Sequence, residues 1–196
     1  MFISKYFNNI KQTNAGWKEK EISVLMKNGE KVLDFGCGDL MFASALLRRN
    51  KTLKITGLDV VNSNSRKGIG FVKYDGNKIP FKDNYFDTVI SIFVFHHCTD
   101  AYSALKECLR VAKKRVIFIE ATSKYKSEIL PMKFVDWLSN IWKPEPIPLT
   151  FQFKTIKEWD KLFKSLKIKK YNIKSIKSPL SFLPFGKSYL FNIEKK

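Results

Sequence analysis

Val32-Leu33-Asp34-Phe35-Gly36-Cys37-Gly38 decides how this chain is read. An apolar run carrying one acid and ending in Gly-Cys-Gly is a buried strand that delivers its end into a tight bend. When a helix follows, the bend lets backbone N–H groups approach a ligand at the positive end of the helix dipole. The strand is predicted over Lys31–Phe35. Asp39 is placed as the cap of a helix reaching about Arg49, where Arg48 and Arg49 suit the dipole. The third glycine of a dinucleotide fingerprint is absent, Met41 standing in its place, so the bend alone is a weak signal.

Working outward strengthens it. Leu53–Leu58 is predicted as a second strand ending at Asp59, where a carboxylate can accept both hydroxyls of a ribose. Phe71–Tyr74 is a third strand, and Asp75 after it could pair with an adenine amino group. Three acids at successive strand ends make a specific pattern. Phe86–Val94, β-branched and aromatic, is the central strand. Thr99 or Asp100 caps a helix to about Ala112, and Arg115–Glu120 is the fifth strand. Strands alternating with helices predict an α/β fold, a parallel sheet with helices on both faces.

The flanks are read in the same way. Residues 17–27 are predicted as an amphipathic helix presenting Trp17, Ile22, Leu25 and Met26, stopped by Asn28-Gly29. Ile129–Trp142 could present Phe134, Trp137, Leu138, Ile141 and Trp142 from a helix. Thr155-Ile156-Lys157-Glu158 is a capping box, with Ile156, Trp159, Leu162, Phe163 and Leu166 on the apolar face behind it. Ile168–Ile176 and Ser188–Ile193 then read as a C-terminal antiparallel hairpin. The chain is taken as one domain. It divides into an N-terminal helical cap (1–29), a cofactor half (30–120), a lid or substrate insertion (121–153), and a helix with hairpin (154–196).

Composition sets limits on this reading. The 196 residues carry 36 Lys+Arg against 18 Asp+Glu, a formal charge of +18, and 44% are hydrophobic, enough for a packed core. Cys37, Cys98 and Cys108 form no CxxC pair and no disulfide framework, which favours a cytoplasmic setting and argues against a cysteine-based zinc site. The N-terminus is broken by charge before an apolar leader could form, and the uncharged run Thr88–Thr99 is too short to span a bilayer. The positive charge is nearly all Lys, with Arg only at 48, 49, 66, 110 and 115. Arg is the residue of bidentate phosphate and base contacts, so nucleic acid is an open but disfavoured partner. Peripheral contact with an anionic membrane surface also stays open.

The blocks Val32–Gly38, Ile55–Asp59, Asp75–Phe81, Phe86–Asp100 and Leu105–Glu120 together resemble the class I S-adenosylmethionine-dependent methyltransferases, nearest the quinone-biosynthesis branch. The resemblance implies a Rossmann-like, seven-stranded, mostly parallel sheet and S-adenosyl-L-methionine as cofactor. It also implies methyl transfer to a small, apolar or aromatic acceptor. It places Gly36, Cys37 and Gly38 against the methionine part of the cofactor and Asp34 near its amino group. Asp59 with Val60 would hold the ribose, Asp75 and Gly76 the adenine, and the loop from Phe93 to His97 would border the methyl. Val60–Gly70 departs from the family, which usually has a longer helix there.

His96 and His97 are the only histidines. Either could serve as catalytic base or substrate ligand, or the pair could simply shape the loop. No metal is expected, because adjacent histidines show no carboxylate set nearby in sequence. Asp87 is read as structural, and Phe35, Phe86 and Phe93 as core or pocket wall. Tyr102-Ser103-Ala104-Leu105-Lys106 spells a dehydrogenase Y-x-x-x-K without the matching glycine turn, and Asp34-Phe35-Gly36 spells a kinase DFG without the other kinase motifs. An RNA methyltransferase and a non-catalytic accessory subunit remain as alternatives. The oligomeric state cannot be read.

Overall fold

A computed structural model describes residues 18–62, 66–140, 150–177 and 187–195. Its centre is a seven-stranded sheet of order β3-β2-β1-β4-β5-β7-β6. The strands are β1 (Lys31–Phe35), β2 (Lys54–Asp59), β3 (Ile69–Lys73), β4 (Phe86–Ile92), β5 (Ala112–Thr122), β6 (Tyr171–Ile176) and β7 (Lys187–Glu194). β1 pairs in parallel with β2 and β4, β2 with β3, and β4 with β5. Only β7 runs antiparallel, between β5 and β6. The parallel sheet and terminal antiparallel pair are those the residue pattern predicts, in the Rossmann-like, seven-stranded form that the resemblance implies. The helices are α1 (Met41–Arg49), α2 (Ala101–Val111), α3 (Ile129–Asn140) and α4 (Ile156–Ser165).

Two apolar layers cover the sheet, because successive strand residues point to opposite faces. Val32, Ile55, Ile90, Ile117, Ile119 and Leu190 pack with α1 and with Ile22 of a helical stretch over 18–23. On the other face Leu33, Phe35, Val89, Val116, Phe118 and Phe191 pack with α2 and α4. Phe118 is the hub there, its ring 4.5 Å from that of Phe191, 5.0 Å from Phe95 and 5.1 Å from Trp159. Each such buried aromatic contributes on the order of 1.5–3 kcal/mol through area removed from water. The layers face each other through the central strands β1 and β4, which have no exposed residue, as a doubly covered sheet requires.

Several boundaries differ from the sequence expectation, each for a local reason. The N-terminal helix ends at residue 23 rather than 27, and Val24 is exposed. Asp39 does not occupy the cap of α1. That position is Leu40, in the left-handed region at φ 59, while Asp39 Oδ1 accepts the Met41 N–H at 3.1 Å. β3 begins at Ile69 and ends at Lys73, before Tyr74. β4 stops at Ile92 because Phe93 turns to φ 57. β5 runs on past Glu120 to Thr122, and β6 begins only at Tyr171. The Thr155–Glu158 capping box is formed as predicted, and Asp100 caps α2 by accepting the Tyr102 N–H at 2.9 Å. Trp17, Ile141, Trp142 and the loop joining β6 to β7 lie outside the described residues. Among the described residues no helix is long and apolar enough to cross a membrane.

The N-terminal edge of the sheet is held by a buried polar network. Glu30, 2% exposed, pairs with Arg115 and accepts the Thr88 hydroxyl at 3.2 Å, while Arg115 Nε donates to Thr88 Oγ1 at 3.0 Å. Asp87 takes the structural part predicted for it, accepting the Lys31 N–H at 3.0 Å and pairing with Lys114 at 2.9 Å. These bonds join β1, β4 and β5 below the functional edge. Replacing one member of a buried ion pair strands its partner in low dielectric. Glu30→Ala is therefore expected to lower the unfolding free energy by about 3 kcal/mol, read as a shift of the urea midpoint at unchanged slope.

Candidate functional site

The site is built where the strand order reverses. β1 and β4 are neighbours, yet their outgoing connections lead to opposite ends of the sheet, leaving a crevice at their C-terminal ends. Gly36 and Gly38 take φ +71 and +51, values L side chains rarely adopt. The Gly36 and Cys37 N–H groups both donate to Leu58 O, at 2.8 and 3.2 Å, lashing the turn to the end of β2. A methyl at Gly36 would overlap both γ-carbons of Val94 from the loop after β4. Gly57, not singled out from sequence, is equally constrained: a side chain there would overlap Leu40 and the Cys37 sulfur. Cys37 therefore sends its thiol into the core. Burial, reinforced by Asp34 and Asp59, raises that thiol far above its ordinary value.

Asp34 lies inside this cradle, 2% exposed. Its Oδ2 has no hydrogen-bond partner among the described residues. Burial, and then the charges of Asp59 and Asp39, push its carboxyl up to about 7. A buried carboxyl oxygen without a partner is costly unless something cationic or donating meets it. Asp59 binds the turn directly: Oδ2 accepts the Gly38 N–H at 2.8 Å, and Oδ1 accepts those of Val60 and Val61 at 2.7 and 3.2 Å. Each carboxylate oxygen can accept twice, so Oδ2 keeps one acceptor position. Asp75 is exposed and folded onto its own loop, accepting the Asn77 N–H at 2.9 Å and the Asn77 side-chain amide at 3.1 Å. Those bonds hold its carboxyl below the ordinary range. Gly76, at φ +88, sits against Val60, so the ends of β2 and β3 do converge.

The other wall is the loop after β4. Phe93 donates its N–H to Ile119 O at 2.8 Å, and its ring lies under Lys18 Nζ at 4.7 Å. Residues Phe95–His97 form a 3-10 turn that brings the rings of His96 and His97 to 4.0 Å. His96 is buried, stacked on Phe153 at 4.5 Å, and its Nδ1 lies 2.7 Å from Glu120 Oε2. Glu120 Oε1 accepts the Phe95 N–H at 2.7 Å. Asp136 of α3 brings Oδ1 to 3.7 Å from His96 Nε2 and 3.8 Å from His97 Nε2. Burial alone would lower the His96 pKa, but the charges of Glu120 and Asp136 outweigh it and raise the imidazole to about 9.

This corrects the expectation that the histidines lack carboxylates nearby. Glu120 is an acid closing a buried apolar strand, the same signal that picked out Asp34 and Asp59, and could have been read from Val116-Ile117-Phe118-Ile119-Glu120. Asp136 gave no signal, since nothing in the sequence tells which face of its helix meets the loop. Residues 150–153 complete the wall. Gln152 N–H and Thr150 Oγ1 both donate to His96 O, at 2.9 and 2.8 Å, and Ser123 bridges to Thr155.

α3 turns Met132 inward and leaves Leu130, Phe134, Trp137 and Leu138 exposed. With Pro131, Lys133 and Phe151, the first three of these line a surface groove of about 600 Å³. The helix thus presents Phe134, Trp137 and Leu138 at a surface.

Residues 33–119 match the family described as "Methyltransferase domain". Over 135 residues the chain is 29% identical to a demethylmenaquinone methyltransferase of Thermotoga maritima, covering 62% of this chain and 59% of that protein. It is 33% identical over 147 residues to a ubiquinone/menaquinone biosynthesis C-methyltransferase of Burkholderia mallei, covering 65% and 60%. The chain thus spans about three-fifths of the length of these relatives. In fold it is similar to a SAM-dependent methyltransferase of Thermotoga maritima, with a TM-score of 0.65, 18% identity and coverage of 100% and 97%. Residues 33–119 are thus similar to a methyltransferase domain, and the chain shares the fold of that solved structure.

Gly36→Ala should destabilise the protein by about 2–4 kcal/mol, from the left-handed backbone and the overlap with Val94. Adding Val94→Ala should recover the overlap but not the backbone cost, and chemical denaturation of the single and double variants checks both parts.

Proposed function

We propose that this protein transfers the methyl group of S-adenosyl-L-methionine to a small, apolar or aromatic acceptor. The observation that carries the reading is the buried, unpartnered Oδ2 of Asp34 beside the Gly36–Gly38 turn. That oxygen suits the cationic amino group of an amino-acid ligand, and the open acceptor position on Asp59 suits a ribose hydroxyl. The N–H groups of the turn itself, at Gly36, Cys37 and Gly38, are spent on Leu58 and Asp59 and so shape the cradle. The donor set therefore fits the cofactor, which when bound supplies a methyl carbon activated by positively charged sulfur.

What the chain contributes is position and dryness. Val94 and Phe93 close the crevice on the β4 side, and Asp34 and Asp59 orient the ligand from the β1 and β2 sides. The exposed apolar face of α3 and Phe151 support an apolar acceptor arriving from that flank. His96 is a poor base for it. An imidazole raised to about 9 is already protonated at neutral pH, and its Nδ1–H is committed to Glu120. His97, 17% exposed at the side chain, is the histidine an acceptor could reach.

Two outcomes test the cofactor reading by calorimetry with S-adenosylhomocysteine. Asp59→Ala should weaken binding at least tenfold, about 1.4 kcal/mol or more, and an unchanged affinity would remove Asp59 from the site. Asp34 gives a pH signature. Its raised pKa means the folded chain holds that proton more tightly than the unfolded one, so its contribution to stability falls as pH rises from about 4 to 7. A cationic amino group needs the ionised form. Affinity should therefore climb as pH rises from about 5.5 to 7.5 and then level off, and Asp34→Asn should flatten the profile.

A further inference from the structure

We propose that His96, His97 and Asp136 form a binding site for one divalent first-row transition metal ion, with zinc as the default occupant and Glu120 as the supporting carboxylate. The inference goes beyond methyl transfer and does not rest on it.

The donor set is the first argument. Two imidazole nitrogens and one carboxylate oxygen, one from each residue, lie within 4.8 Å of one another. Asp136 Oδ1 stands 3.7 Å from His96 Nε2 and 3.8 Å from His97 Nε2. Those separations are too long for hydrogen bonds. Ligand atoms about 2.0–2.1 Å from a tetrahedral zinc stand ~3.4 Å apart, so the two carboxylate–imidazole separations need only close by a few tenths of an ångström and the imidazole pair by at most about 1.4 Å. Two histidines with one carboxylate is a set suited to zinc or iron(II), and three protein ligands leave a position for an exogenous oxygen.

The supporting carboxylate is the second argument. A metal-bound histidine typically donates its other ring N–H to a carboxylate, which orients the ring and makes the bound nitrogen more basic. Glu120 does this for His96: both of its oxygens are bonded, one to the Phe95 N–H and one at 2.7 Å to His96 Nδ1. Nδ1 is thereby held protonated, and Nε2, facing Asp136, would exchange its proton for the metal. The ring is locked further by stacking on Phe153 at 4.5 Å and by two hydrogen bonds to the His96 carbonyl.

Charge is the third. Glu120 is 1% exposed, and the side chain of Asp136 is 14% exposed. Two carboxylates in a half-buried cluster require cationic compensation. The ordinary way to supply it is a proton on His96; a divalent ion in the same place supplies more and uses all three ligands. Bound there, it would tie α3 to the loop after β4, at the side of the crevice opposite the Gly36–Gly38 turn.

The test uses the untagged full chain, stripped with chelator and titrated first with Zn²⁺ by equilibrium dialysis, then with Co²⁺ by visible absorption. One equivalent should bind per chain, with the intense ligand-field bands of a low-coordinate cobalt site and a rise in Tm. Proton NMR of the Co²⁺ form should display two exchangeable, paramagnetically shifted imidazole N–H signals, a readout from the wild type alone. His97→Gln and Asp136→Asn should each weaken binding at least 100-fold, and Glu120→Gln about 10–100-fold. Absence of stoichiometric binding, of both shifted signals, or of any effect of the His97 and Asp136 variants would overturn the site and leave a protonated His96 between two acids. S-adenosylhomocysteine binding by the stripped protein, measured alongside, reports separately on the methyltransferase reading.

Discussion

Where the turn after β1 crosses the loop after β4, Gly36 has no side chain and Val94 occupies the space one would take. This contact governs the geometry of the functional edge. It lets two neighbouring parallel strands end side by side while their connections diverge, which is what opens a crevice at a switch in strand order. The left-handed backbone at Gly36 and Gly38 turns the Gly36 N–H to the end of β2 and the Gly38 N–H to the Asp59 carboxylate. With a side chain at Gly36, the turn or the β4 loop would have to withdraw, and Asp34 would lose its position at the crevice floor.

A second junction organises the opposite wall. Glu120, at the end of the central part of β5, uses one oxygen on the backbone of the β4 loop and the other on His96. The segment 150–156 returns to the same place, bonding the His96 carbonyl and bridging to Ser123. Loop, strand end and returning chain are thus one hydrogen-bonded unit. Buried polar networks of this kind are stable only when every member is satisfied, and that explains why a loop residue such as His96 can be as buried as the core.

The electrostatics of the chain and of its site have opposite signs. The whole chain carries +18, yet the crevice is walled by Asp34, Asp59, Glu120 and Asp136. Buried acids in a basic protein do not serve its solubility. They favour cationic ligands, an ammonium or sulfonium on the β1 side and a metal ion on the β4 side. Surface lysines act over distances that salt largely screens, whereas these acids act at hydrogen-bond range in low dielectric. Net charge therefore says little about the chemistry of the crevice.

By itself the sequence determined the order and type of the elements, the glycine turn, and the acids at the ends of β1, β2 and β3. All of these rest on local rules: periodicity, turn chemistry and capping act over a few residues. The residues 153 and 155 illustrate the boundary. Thr155 belongs to a capping box that closes within four residues and was legible; Phe153 stacks on His96 across 57 positions and was not. The same applies to strand ends, where Phe93 makes a last bond to Ile119 of the neighbouring strand and then turns away at φ 57. Adjacent histidines in an extended strand would point to opposite faces. Only the tertiary structure, by winding them into a 3-10 turn and setting Asp136 of α3 and Glu120 of β5 against them, made the pair a site.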